Sequence, residues 1–206
     1  MKKSYVLTYA AIAVLVVAAA AVIYWAYFAD RGGSDYDVIM DAAPFELTDT
    51  EGNTVSLDNT NGKARLVYFF FSTCPDVCPP TTQVLSKVQE ELKKEEAFGD
   101  ETAILQITFD PENDTVERLK EFSSYFDADY SGWHFLRSDD QQYLLDLAKG
   151  YGVGVQKTEQ GDYAHTNVYV LVDKEGKIRN YYLVGDRMDE IEPADIAEDM
   201  IELAKE

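Results

Sequence analysis

The sequence predicts an α/β fold: a mixed sheet flanked by helices, preceded by one N-terminal transmembrane helix. Three observations carry this. Tyr5 to Ala29 runs for 25 residues without a charged side chain. A continuous apolar run, Leu66 to Phe71, reads as a strand buried on both faces, as in a helix-covered sheet. Beyond it, apolar runs of strand length alternate with segments of helical periodicity, which gives parallel pairing.

The N-terminal run exceeds the roughly 7–15 residues of a signal-peptide core and matches the roughly 20 needed to cross a bilayer. An uncleaved anchor over residues 1–29 is therefore expected; cleavage after Ala18–Ala21 is the alternative. Lys2 and Lys3 precede the run, which leaves the N-terminus in the cytoplasm and the remainder on the extracytoplasmic side of the cell membrane, as a single-pass protein. Residues 30–43 carry Gly32, Gly33, Ser34 and scattered aspartates, and read as a flexible tether. The folded domain is expected over 44–206.

Phe45, Leu47, Val55 and Leu57 flank a Thr48–Asn53 turn and suggest a hairpin. After the strand Leu66–Phe71, Val84, Leu85, Val88 and Leu92 recur at helical spacing and predict a helix over 80–96. Pro79 or Pro80 would sit in its first turn, where a missing N–H costs little. Ala103–Phe109 is a second apolar strand. Asp114 with Glu117 resembles a capping box and opens a helix whose inner face is Val116, Leu119 and Phe122. Trp133–Arg137 is a third strand. Asp139 or Asp140 starts the next helix, with Tyr143, Leu144 and Leu147 inward and Gly150 as its stop. Thr166–Val172 and Ile178–Val184 form an antiparallel pair around the turn Asp173–Lys177. Pro193 opens a last helix with Ile196, Met200 and Ile201 at core spacing. This order is the thioredoxin-like arrangement, in which a cysteine pair after the first central strand is the expected active position.

The formal charge of −20 argues against nucleic acid as a partner, because phosphate contact needs a basic surface. We read the acidity as a solvated surface, with steering of cations or of a basic partner as the alternative.

The chemistry concentrates in Cys74-Pro-Asp-Val-Cys78, the chain's two cysteines. They lie where a strand gives way to a helix, whose unpaired N–H groups and dipole favour thiolate. Cysteines at i and i+4 share a face in a helix and could form a disulfide or chelate one soft ion. The simplest alternative is a structural disulfide, but so small a loop removes little unfolded-state entropy and would stabilise weakly. Two ligands rarely suffice for a metal, and the chain has two histidines to offer. His134 lies between Trp133 and Phe135 on a strand and reads as structural or surface. His165 precedes the strand that faces the cysteines in this topology and reads as the third ligand. Met40, Met188 and Met200 sit in no motif, and Met200 looks like core. No proline lies between Gly161 and Val172, where thioredoxins carry a cis-proline.

The segments Val67–Pro79, Asp110–Thr115, Tyr151–Val153 and His165-Thr166 ahead of Val168–Asp173 together resemble the signature of the Sco/SenC family of copper proteins. The likeness covers about residues 44–205. The resemblance implies a membrane-tethered, thioredoxin-like copper metallochaperone that binds one copper ion, Cu(I) or Cu(II), through Cys74, Cys78 and His165. It also implies a role in assembling the binuclear copper centre of cytochrome c oxidase subunit II. Asp76, Asp110 and Asp114 match the family pattern; Asp76 reads as shaping the loop or tuning the ligands without binding the ion itself, and capping of the following helix is the simplest account of Asp114.

An enzyme reading competes. Cys74 and Cys78 would be redox-active in a thiol–disulfide oxidoreductase that reduces the partner's cysteines, itself recharged by a thiol reductant. A peroxiredoxin-like peroxidase fits less well, since Phe71 stands where that family places a threonine.

Overall fold

A computed structural model describes residues 15–19, 22, 36–74, 78–158, 163–184 and 192–206. Residues 15–19 and 22 are helical. The rest of the anchor expected over 1–29 lies outside the described residues, as do Pro75, Asp76, Val77 and Met188. Among the described residues no helix is long and apolar enough to cross a membrane.

The unit Tyr36–Lys205 is a thioredoxin-like α/β fold. Its eight-stranded sheet runs in the order β1-β10-β9-β4-β5-β6-β2-β3. The strands are β1 (Met40–Asp41), β2 (Glu46–Asp49), β3 (Thr54–Ser56), β4 (Ala64–Phe70), β5 (Thr102–Thr108), β6 (Trp133–Arg137), β9 (Val168–Val172) and β10 (Lys177–Leu183). Strands β7 (Val155–Lys157) and β8 (Tyr163–His165) form a separate two-stranded ribbon. The helices are α1 (Cys78–Lys94), α2 (Val116–Ser124), α3 (Gln141–Gly150) and α4 (Pro193–Lys205).

The centre of the sheet follows from side-chain type. Every residue of β4, β5 and β9 is buried, so apolar runs rather than alternating patterns mark the strands covered on both faces. β4 pairs parallel with β5 and β5 with β6, as strand–helix alternation requires. β9 joins β4 antiparallel, in the register Leu66 to Leu171 and Tyr68 to Tyr169. The expected late hairpin is present as β9–β10, with a register shift between Ile178 and Asn180. The early hairpin is β2–β3, set on the far edge through β6.

The helices bury the faces that periodicity marks: Val84, Leu85, Val88 and Leu92 on α1, and Ile196, Ala197, Met200 and Leu203 on α4. Ile201 is only half-buried, and Ala197 and Leu203 complete the inner face of α4 instead. α4 packs on α1, β4 and β5. Asp140 caps α3 by accepting the Tyr143 N–H at 3.0 Å. Gly150 is the last residue of α3, but the left-handed turn that follows falls at Gly152, φ +75°. A side chain there would be strained, and its Cβ would also meet the Tyr181 hydroxyl at 3.0 Å.

Ahead of Pro44, Met40–Asp41 pairs with β10, and the Ile39 N–H donates to Ile178 at 2.8 Å. Arg179 fixes this stretch from below. Its Nη1 stands 2.9 Å from the Asp173 carboxylate, and its guanidinium also donates to the Tyr36 carbonyl.

Candidate metal centre

β4 ends at Phe70, and the chain continues through Phe71, Ser72 and Thr73 to Cys74. The strand end is held by Asp114. Both Asp114 carboxylate oxygens lie 3.1 Å from the Ser72 backbone nitrogen, and the hydroxyls of Ser72 and Thr108 donate to the same carboxylate. Asp114 is fully buried, and burial raises its carboxyl above the usual range despite these donors. The expected helix-capping role falls instead to Thr115. Its backbone is extended, and its hydroxyl accepts the Arg118 N–H at 3.2 Å. Adjacent residues compete for one cap, and the aspartate has stronger partners in the core. Arg118 also reaches Ser72, with Nε 3.3 Å from the hydroxyl.

No disulfide joins Cys74 and Cys78; Cys74 is half-buried and Cys78, the first residue of α1, fully buried. The two side chains are hydrogen-bonded to each other. That bond, burial and the nearby Cys74 charge together push the Cys78 thiol far up, against a lowering by hydrogen bonds from the Phe71 backbone and Tyr68. The sequence expectation that the helix terminus favours thiolate therefore does not hold for Cys78. A partial charge at a helix end is outweighed where the sulfur is out of water and next to a second sulfur.

His165 is the last residue of β8 and pairs across the ribbon with Val155. Its ring packs edge-on against Phe71, at 6.0 Å between centroids, and against Phe109, at 5.2 Å. Phe71 is three residues from Cys74, and the Cys74 charge acts on His165. Burial, the dominant effect, holds the imidazole below its ordinary value. The fold thus brings Cys74, Cys78 and His165 to one end of the sheet, beyond the carboxyl ends of β4 and β5, as ligand sites in open α/β sheets do. Among the described residues no three His, Cys, Asp or Glu side chains stand close enough together to hold a metal ion.

The donor types nevertheless suit a soft ion: two sulfurs and one imidazole. His134 lies elsewhere, half-buried on β6 with Nδ1 3.9 Å from Asp49. Met200 is in the core and Met40 is exposed on β1.

Sequence reasoning passed over two residues beneath the thiols, Tyr68 and Asn167. Tyr68 is fully buried in β4, and its hydroxyl lies 2.9 Å from Asn167 Oδ1 and 3.8 Å from Cys78 Sγ. A signal was available: a lone hydroxyl inside the run Leu66–Phe71 must find a polar partner.

A family model described as SCO1/SenC matches residues 38–202. The chain is 31% identical over 141 residues to the SCO1 protein homolog of Bacillus subtilis (strain 168), a match covering 68% of this chain and 72% of that one. Among solved structures it resembles a SCO1/SenC family lipoprotein from Bacillus anthracis str. Ames. The TM-score is 0.72 at 28% identity, over 80% of this chain and 95% of that one. It also resembles Bradyrhizobium japonicum ScoI with copper bound, with a TM-score of 0.66 at 29% identity, over 79% and 99% of the two chains.

Proposed function

The chain belongs to the SCO1/SenC family, and from that membership we propose that it is a copper metallochaperone serving cytochrome c oxidase. Cys74, Cys78 and His165 hold one copper ion, which is delivered to the binuclear centre of subunit II. The observation that carries this is the placement of His165 beside the cysteine loop: its ring packs on Phe71 at 6.0 Å between centroids, and the Phe71 carbonyl accepts the Cys74 N–H at 3.3 Å. The copper-bound Bradyrhizobium relative supports the choice of metal. Two thiolates and one imidazole suit Cu(I) and leave a coordination position free for a recipient's ligand, and the imidazole also suits Cu(II).

Each residue has its own part. The exposed side of Cys74 admits the ion and the partner. Cys78, in the core, gives up its proton only when a cation replaces it, so loading releases protons and requires both sulfurs reduced. His165 supplies the neutral nitrogen. Residues 1–29 anchor the domain to the membrane, and the expected tether shortens to the chain ahead of Tyr36, because Tyr36–Ala42 is bound to the sheet; the folded domain lies on the extracytoplasmic side. The lipoprotein relative supports membrane attachment.

The same thiol pair favours a second reading, a thiol–disulfide reductase for the copper-site cysteines of subunit II. The Cys74 thiolate attacks the partner disulfide and forms a mixed disulfide, releasing one partner thiolate. The Cys78 thiolate then displaces the second partner sulfur, leaving a Cys74–Cys78 disulfide that an external dithiol reduces. Cys78's reluctance to ionise weighs against speed in the second step.

Anaerobic titration of the reduced full-length chain with Cu(I), against a calibrated competitor, tests the first reading. The expected result is one tightly bound ion per chain, with affinity reduced at least tenfold in both Cys74→Ala and His165→Ala. Binding unchanged in His165→Ala overturns the three-ligand site. A mixed disulfide with subunit II, trapped in Cys78→Ala and formed equally well without His165, would favour the reductase.

A further inference from the structure

Asn167 sits in the two-residue connection between β8 and β9, two positions after His165. Its side chain is held at both ends. The carboxamide oxygen accepts from the Tyr68 hydroxyl at 2.9 Å, and the nitrogen donates to Thr81 Oγ at 3.3 Å. Tyr68 projects from β4, while Thr81 lies on the first turn of α1, three residues from Cys78. Both are completely buried. Thr81 is itself braced, since the Tyr169 hydroxyl donates to its carbonyl at 2.6 Å. The backbone of the same connection is fixed too: the Thr166 N–H donates to Gly154 at 2.8 Å, and the Val184 N–H donates to the Asn167 carbonyl at 3.0 Å.

Tyr68 has one hydroxyl proton and two neighbours that can accept it. The 2.9 Å contact to Asn167 Oδ1 is the shorter of the two, and the Cys78 sulfur lies 3.8 Å from the same hydroxyl. One hydroxyl therefore touches both the buried sulfur and the segment that carries the histidine.

We propose that Tyr68 and Asn167 are positioning residues: a buried strut that pins the chain just after His165 to the helix end carrying Cys78. The inference rests on the three-ligand copper reading and adds residues which that reading does not use. Two residues of chain span at most about 7 Å, so fixing Asn167 bounds how far the His165 backbone can stray from the thiols. The imidazole then searches a small volume, and less ordering opposes its engagement.

Two measurements on the full chain test this, with Tyr68→Phe and Asn167→Ala. The first needs no copper. Amide exchange of Thr166 and Val184 in the reduced protein should speed up at least tenfold in both variants, while amides of β5 keep the parent rates. Parent rates at Thr166 and Val184 overturn the strut, and acceleration spread evenly over β5 shows a general loss of stability, which overturns it as well. The second is a double-mutant cycle of Cu(I) affinity. Each variant should weaken binding about tenfold in the parent but less than twofold in the His165→Ala background. Equal losses in both backgrounds would mean that Tyr68 acts through Cys78 alone, and the positioning role would be wrong. Should the parent bind no Cu(I), the metal reading fails by itself, and the exchange rates still decide the strut.

Discussion

Asp114 offers the sharpest test of how the cysteine loop is held. The sequence makes it a helix cap; the structure makes it a buried acceptor for three donors, the Ser72 N–H and the hydroxyls of Ser72 and Thr108. A lost cap costs about 1 kcal/mol. Hydrogen bonds to a charged group are worth about 1.5–3 kcal/mol each, and a buried polar network that loses its charged member typically costs about 3–5 kcal/mol, since the hydroxyls can turn elsewhere while the N–H cannot. With a urea dependence near 2 kcal/mol per molar, Asp114→Ala should lower the unfolding midpoint by about 1.5–2.5 M, and Thr115→Ala, the true cap, by about 0.5 M. Equilibrium urea unfolding followed by circular dichroism measures both. A midpoint for Asp114→Ala no lower than that of Thr115→Ala would refute the latch. The pH dependence adds a signed check. Burial raises the Asp114 carboxyl in the folded state, so the folded chain keeps that proton longer than the unfolded one. The stability this confers is complete below about pH 4, the unfolded value, and is lost as pH rises through the folded value. The stability gap between the parent and Asp114→Asn should therefore be widest at acid pH and narrow toward neutrality.

Two further outcomes are expected. The Arg179–Asp173 pair is 10% and 2% exposed at 2.9 Å, and Arg179→Met leaves the buried Asp173 carboxylate on the Glu175 and Lys177 N–H groups without its paired guanidinium, so a loss of about 3 kcal/mol should appear in urea unfolding; a loss below about 1 kcal/mol would class it with surface pairs. In the reduced protein a brief pulse of iodoacetamide should modify Cys74 roughly tenfold or more faster than Cys78, because Cys78 is buried and its thiol is pushed up. Peptide mass mapping that found equal rates would contradict the placement of Cys78 in the core.

The centre of the fold was legible because its strands are buried on both faces and so carry continuous apolar runs: Leu66–Phe71, Ala103–Phe109 and Val168–Val172 need no partner to be recognised. The β7–β8 ribbon was not legible. Gln156 and Lys157 are exposed and Val155 and Tyr163 only half-buried, so no hydrophobic pattern marks strands that exist through pairing with each other. β1 was hidden for the same reason, as a two-residue edge inside a stretch rich in aspartate. The cysteines and His165 stood out by residue type and position, yet Tyr68 and Asn167 did not, and Asp114 stood out only as a helix cap. Their roles depend on contacts across 99 positions for Tyr68 to Asn167 and 42 for Ser72 to Asp114, which no local spacing announces. The ionisation of Cys78 misled for a related reason: the helix terminus is visible in sequence, whereas the burial that outweighs it is not.

The central claim is that two sulfurs and one imidazole hold a single copper ion. X-ray absorption at the copper edge, on the reduced full-length chain loaded with one equivalent of Cu(I), tests it most directly. The account predicts two sulfur scatterers and one imidazole, with the imidazole signal lost in His165→Ala and one sulfur lost in Cys74→Ala. A parent spectrum without imidazole, or one that His165→Ala leaves unchanged, would contradict it.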